Sequence, residues 1–158
     1  MHPNEELLER FYTSFQRKDS AGMAECYHPE ITFSDPVFRD LKGPKATAMW
    51  EMLTGRAKDM QITFRDIQAD DQQGQAHWEA KYTYSATGRS VLNIVEGHFQ
   101  FRDGKIGVHQ DEFDFWRWAS QALGISGRLL GWAPFFHNTV SRKAMETLDA
   151  YMAKRAER

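Results

Sequence analysis

Three side chains in this 158-residue sequence have the type and spacing to move protons: Asp35, His109 and Asp111. Asp35 stands before Pro36, whose ring pushes the preceding residue into extended backbone. Ile31, Phe33 and Asp35 alternate with Thr32 and Ser34, which places the carboxyl on the same face as two apolar side chains. A carboxylate looking into an apolar cavity has a raised pKa, because burial penalises its charged form, and is poised as a general base. The plainer role for the same residue is an Asx turn into Pro36 or an ion pair with an arginine. His109 and Asp111 lie two apart and share a strand face with Phe113 and Phe115. Such a pair serves as a histidine base oriented by a carboxylate or, with Asp35 across the pocket, as acid and base divided between two walls. The plainer alternative is a buried ion pair built on a hydrogen-bonded core histidine. One histidine and two scattered carboxylates form no dedicated ligand spacing, so no metal is expected.

Around these candidates, Tyr12, Trp50, Trp78, Tyr82 and Phe99 fall on faces expected to turn inward, with Phe113 beside them. They read as the lining of an apolar ligand pocket, in which a hydroxyl from Tyr12, Tyr82 or Tyr84 could stabilise an oxyanion. Core filling is the alternative for each ring. Asn93 shares a face with Val95 and Gly97 and is either a polar handle for a ligand or a solvated strand end. His77 and His98 fall on the opposite faces and belong to solvent or an interface. The sequence contains no Gly-x-Ser-x-Gly, no phosphate-cradling glycine pattern, no His-Glu-x-x-His and no dinucleotide fingerprint, so no cofactor is expected.

The elements that must hold these residues follow from periodicity. Leu7, Leu8, Phe11, Tyr12 and Phe15 recur at helical spacing, with Asn4 placed to cap and Glu5 and Glu6 facing the positive end of the dipole. Asp19 or Ser20 caps a short second helix that Pro29 stops. A strand then runs to Asp35, a turn spans Asp40 to Gly43, and Gly43-Pro44 opens a third helix with Ala46, Met49, Trp50 and Leu53 inward. Residues 61–69, 75–86, 91–102 and 105–115 read as four strands separated by turns that include Asp103-Gly104, giving an antiparallel meander. After Trp116 come a helix through Leu123, a hinge rich in glycine (Gly124, Gly127, Gly131) and a last amphipathic helix. The aromatics from Phe113 to Phe136, Trp116, Trp118, Trp132 and Phe135 among them, are expected to act as a lid or pocket wall, the alternative being a plain helical hairpin on the sheet.

Composition narrows the class. With 41% apolar and 27% charged residues and a formal charge of −2, the chain is a single soluble globule. No block of five like charges occurs, so neither nucleic acid nor membrane is expected as a partner. Cys26 stands alone, which excludes an intramolecular disulfide and suits a reducing, cytoplasmic location. The first residues carry no signal-peptide pattern.

This order of elements resembles the cone-shaped α+β fold of nuclear transport factor 2, ketosteroid isomerase, scytalone dehydratase and the SnoaL-like polyketide cyclases. The stretches that carry the resemblance are Phe11-Tyr12-Thr13-Ser14-Phe15 with Asp19, Thr32-Phe33-Ser34-Asp35-Pro36-Val37, His98 to Ile106, and His109 to Trp116. It covers residues 3 to 118 and looks SnoaL-like. It implies a curved antiparallel sheet with N-terminal helices enclosing a pocket over residues 1–118, with 119–158 a helical extension of the same domain. It also places Asp35 where ketosteroid isomerases carry their proton-shuttling aspartate. Their two oxyanion donors fall on Phe11 and Gly97 here, and Tyr12, about 100° around the helix, is not expected to substitute. Each lost donor typically costs about 10²–10³ in turnover, so steroid isomerisation is not expected. Two functions stay open: a cofactor-independent isomerase, cyclase or dehydratase acting on a small hydrophobic ligand, and a non-catalytic ligand-binding or dimeric interaction protein of the same fold. A homodimer is expected, because one sheet face must otherwise remain exposed.

Overall fold

The computed structural model describes residues 1–157. Helix α1 (Pro3–Gln16) buries Leu7, Leu8, Phe11, Tyr12 and Phe15, a stripe wide enough to lie flush on a sheet. Its cap is His2 rather than Asn4: the His2 ring accepts from Asn4 N–H, and Glu5 reaches back to the His2 N–H at 2.9 Å. Pro3, which has no N–H to lose, occupies the first helical position, so the box closes one residue earlier than the Asn signal suggests. Helix α2 (Ser20–Cys26) is capped by Asp19. It ends before Pro29, which instead lies inside strand β1 (Tyr27–Ser34), where pairing with the neighbouring strand is interrupted between Tyr27 and Thr32. A proline is tolerated there because no ladder bond needs its missing N–H.

The turn expected after Asp40 includes a two-residue strand, β2 (Leu41–Lys42), folded back on β1. Gly43 follows at φ 54°, a left-handed conformation suited to glycine, and opens helix α3 (Pro44–Arg56). Strands β3 (Gln61–Ala69), β4 (Gln73–Tyr84), β5 (Arg89–Arg102) and β6 (Lys105–Glu112) form the antiparallel meander. The full sheet has the order β2-β1-β6-β5-β4-β3, with β1 parallel to β6, and it curves without closing. Along β4, Ala76, Trp78 and Ala80 are buried while Gln75, Lys81 and Thr83 are exposed, so one face packs and the other is wet.

Strand β6 ends at Glu112, short of Phe115, because Asp114 turns the chain and caps helix α4 (Phe115–Leu123) by accepting from Arg117 N–H. The glycine-rich hinge is itself a helix, α5 (Ile125–Leu130). A Cβ on Gly127 would fall 1.9 Å from the Ala119 carbonyl oxygen, so this glycine serves close backbone contact between α4 and α5 rather than bending. Helix α6 (Pro134–Ala156) returns across the molecule to α3, where Tyr151 and Arg155 bond Glu51 and Leu148 is fully buried.

Candidate functional site

A line of polar groups runs through the aromatic core. Trp50 Nε1–H donates to the Tyr27 hydroxyl oxygen at 2.8 Å, the Tyr27 hydroxyl meets His109 Nδ1 at 2.7 Å, and His109 Nε2 meets Asp111 Oδ1 at 2.8 Å. Trp78 Nε1–H donates to the same Asp111 oxygen at 3.3 Å. The ends fix the direction, since an indole can only donate and a carboxylate can only accept. With a neutral imidazole, Tyr27 donates to Nδ1 and the Nε2–H points at Asp111. His109 has no exposed surface, and the rings of Phe99, Phe33 and Phe11 lie 4.3, 5.0 and 5.5 Å from its own. Both its nitrogens are occupied, one by Tyr27 and one by Asp111, so His109 has no free ring nitrogen to offer a ligand.

Asp35 reaches this line through the sheet. In the parallel pairing of β1 and β6, Phe33 is level with His109 and Ser34 with Gln110, which brings Asp35 level with Asp111 as it leaves β1. Asp35 makes the Asx turn that Pro36 favours: Oδ1 accepts from Val37 N–H at 2.7 Å and Phe38 N–H at 2.6 Å. Those donors favour the charged carboxylate. Burial outweighs them, the negative charge of Asp111 adds to it, and the Asp35 pKa is pushed up to about 7. The turn and the raised pKa therefore coexist, because only one carboxyl oxygen is used by the backbone.

Tyr12 lies beside Asp111 as well. The helical-wheel argument turns it away from the position of Phe11, yet α1 sits so flat that both rings are fully buried. A Cβ on Gly97 would come within 2.9 Å of the Tyr12 hydroxyl and 3.1 Å of Asp111 Oδ1, so the glycine makes room for the phenol. The Tyr12 hydroxyl is buried with no hydrogen-bond partner among the described residues. Burial first, and then the charge of Asp111, raise its pKa well above the ordinary tyrosine value, which keeps it protonated.

The remaining candidates divide by depth. Trp50, Trp78 and Phe99 are buried around the relay. Tyr82, Asn93 and Phe113 are only part-buried, as is Asp35. Trp118 Nε1–H donates to the Tyr82 hydroxyl at 2.9 Å, and burial raises the Tyr82 pKa to about 12. Tyr27 is the member that sequence reasoning misses. It stands at the junction of α2 and β1, and only the parallel pairing with β6 brings it to His109. Among the described residues, no cluster of three or more His, Cys, Asp or Glu side chains could hold a metal, and no helix is long and apolar enough to cross a membrane.

The outer face of the sheet carries different chemistry. His77 sits between Glu79 (2.7 Å) and Glu96 (2.5 Å), which raise its pKa in that order, and His98 approaches Glu112 at 3.7 Å. Beside them, a groove of about 490 Å³ is lined by Gln68, Gln73, Gln75, His98, Gln100 and Gln110, among other residues.

Comparison with known proteins agrees with this architecture. The family described as SnoaL-like domain matches residues 8–109. Among solved structures, TsrD from Streptomyces laurentii superposes with a TM-score of 0.66 at 20% identity, covering 78% of this chain and 96% of its own. An LEH-like epoxide hydrolase from M. tuberculosis gives 0.65 at 18% identity, covering 82% and 96%. IdmH from Streptomyces antibioticus, provisionally assigned as a polyketide cyclase, gives 0.61 at 20% identity, covering 79% and 100%. At these identities the likeness is one of fold. No curated protein matches the sequence.

Proposed function

The chain belongs to the SnoaL-like domain family, and from that premise we propose that it is a cytoplasmic, cofactor-independent acid–base enzyme acting on a small hydrophobic molecule by isomerisation, cyclisation or dehydration. The observation that carries this reading is the buried relay from Trp50 through Tyr27 and His109 to Asp111, ending level with Asp35. A core that needed only to be filled would gain little from four linked polar side chains, since each must stay paired to avoid a desolvation penalty. Asp35, with one free carboxyl oxygen and a pKa near neutrality, takes a proton from carbon next to a carbonyl and returns it at another position. Tyr12, protonated and fully buried beside Asp111, belongs to the filled inner end and is assigned no contact with the substrate. Asp111, held by His109 and Trp78, keeps Asp35 basic; Trp50, Trp78, Tyr82, Asn93, Phe99 and Phe113 shape the apolar surroundings. With Phe11 and Gly97 at the two expected donor positions, steroid isomerisation stays outside this proposal.

The test is proton exchange in D₂O with a panel of small cyclic and aryl ketones, followed by NMR. The reading predicts deuterium incorporation next to the carbonyl for at least one ketone, abolished in Asp35→Asn. Exchange that survives Asp35→Asn, or none with the wild type across the panel, would overturn it.

A second reading is favoured by the fully buried inner rings of Phe11, Tyr12, Phe33 and Phe99, which leave the inner end of the cone filled, and by the glutamine-lined outer groove. On that reading the protein binds without turnover and pairs as a homodimer through the polar sheet face. Sedimentation showing a dimer at micromolar concentration supports the pairing; only monomer contradicts it.

A further inference from the structure

The C-terminal segment displays an apolar surface that neither the relay nor the sheet explains. Helix α5 presses its glycine side against α4, through Gly127 on Ala119 and Gly131 on Gly127 and Ala119. Its bulky side chains therefore point outward: Ile125 is 77% exposed and Leu129 63%, with Leu130 also exposed. Trp132 (73%) and Phe135 follow immediately, and Trp116 flanks them. The indole N–H groups of Trp116 and Trp132 are satisfied by the Arg128 and Leu129 carbonyls, so the rings carry no unmet polar demand outward. Monomeric soluble proteins rarely gather so many large apolar side chains on one tip without a partner.

Charge tells which partner. Between Phe115 and Met145 the chain has Arg117, Arg128, Arg142 and Lys143 and not one Asp or Glu. All four cations are exposed, and Arg142 also faces Glu146 one turn further along α6, at 4.0 Å. The whole chain carries −2, so the remainder carries −6, an asymmetry that the overall count conceals. A symmetric contact with a second copy would bring these cations against themselves. Exposed Trp and Phe on a short helical tip that carries Arg128 and no acid, with Arg117, Arg142 and Lys143 on the flanking helices, are a combination suited to the headgroup level of an anionic bilayer, the rings entering the interface and the cations meeting lipid charge. We propose that the α5 tip, Ile125 to Phe135, docks peripherally on an anionic membrane surface. This departs from the expectation of no membrane partner, which rests on like-charge runs in sequence and not on an acid-free stretch that includes and flanks an apolar tip.

The experiment is flotation of the full chain with vesicles of phosphatidylcholine alone and of phosphatidylcholine mixed equally with phosphatidylglycerol. The proposal predicts flotation with the mixed vesicles only, weakened about tenfold or more by Leu129→Asp with Trp132→Asp, and likewise by Arg128→Glu with Arg142→Glu. These positions are exposed, and an unchanged thermal midpoint shows that each variant is folded. No flotation, or flotation indifferent to both pairs of substitutions, would overturn the proposal. So would a concentration-dependent oligomer lost with Leu129→Asp and Trp132→Asp, which would assign the tip to a second copy.

Discussion

Asp35 holds its proton more tightly in the fold than in an unfolded chain, and this fixes the sign of its pH dependence. Its pKa is about 7 when folded against an ordinary 3.8. Between those values the native state binds a proton that the unfolded chain has released, so stability falls as pH rises through this window and levels off above about 7. At about 1.4 kcal/mol per pKa unit the upper bound on the loss is about 4 kcal/mol, with solvent at this part-buried residue reducing it. Asp35→Asn keeps the oxygen that accepts from Val37 and Phe38 and removes the charge. Thermal melts should show the variant more stable than wild type at pH 8 and the difference closing near pH 4; a constant difference would contradict the raised pKa. Tyr27→Phe leaves the Trp50 indole N–H without an acceptor and His109 Nδ1 without its donor, both in the core. Urea denaturation should register about 1–3 kcal/mol of lost stability, and no loss would mean that the relay is not formed.

At the scale of elements, α1 and β5 meet where Gly97 admits the Tyr12 hydroxyl. Gly97→Ala should destabilise by about 1–3 kcal/mol through overpacking, and adding Tyr12→Phe should recover part of it. Additive effects in that double-mutant cycle would show that the two groups do not touch. This contact also marks where the sequence stops being legible. Alternation along β4, the Asp103-Gly104 turn and the Asp114 cap are local signals, readable because two or three adjacent residues decide them. So is the face shared by His109 and Asp111, which strand geometry alone dictates. The burial of both Phe11 and Tyr12 follows the helical stripe, but the approach of the Tyr12 hydroxyl to Gly97, and of Tyr27 to His109 by a parallel pairing across a long separation in sequence, does not. Neither approach leaves a trace in local periodicity. The glycines of α5 mislead for a related reason: in sequence they signal bending, while in the fold their missing side chains let two helices touch.

For the whole molecule, the α6 helix is expected to be part of the folding unit. Leu148 is fully buried, Ser141 donates to the Val37 carbonyl beside the Asp35 turn, and His137 bonds the Pro36 carbonyl. Deleting residues 134–158 should therefore lower the melting midpoint sharply and loosen Asp35. A truncated chain that melts like the full one would mark the segment as a separable lid. The broader consequence of the topology is that β1, from the first third of the chain, inserts beside β6 and carries Asp35, just beyond its end, to where the charge of Asp111 bears on it. The most direct measurement is the titration of the Asp35 carboxyl carbon by ¹³C NMR, in the wild type and in Asp111→Asn. A midpoint near 7 that falls when Asp111 is neutralised is the predicted result; an ordinary carboxyl midpoint near 4, unmoved by Asp111→Asn, would contradict it.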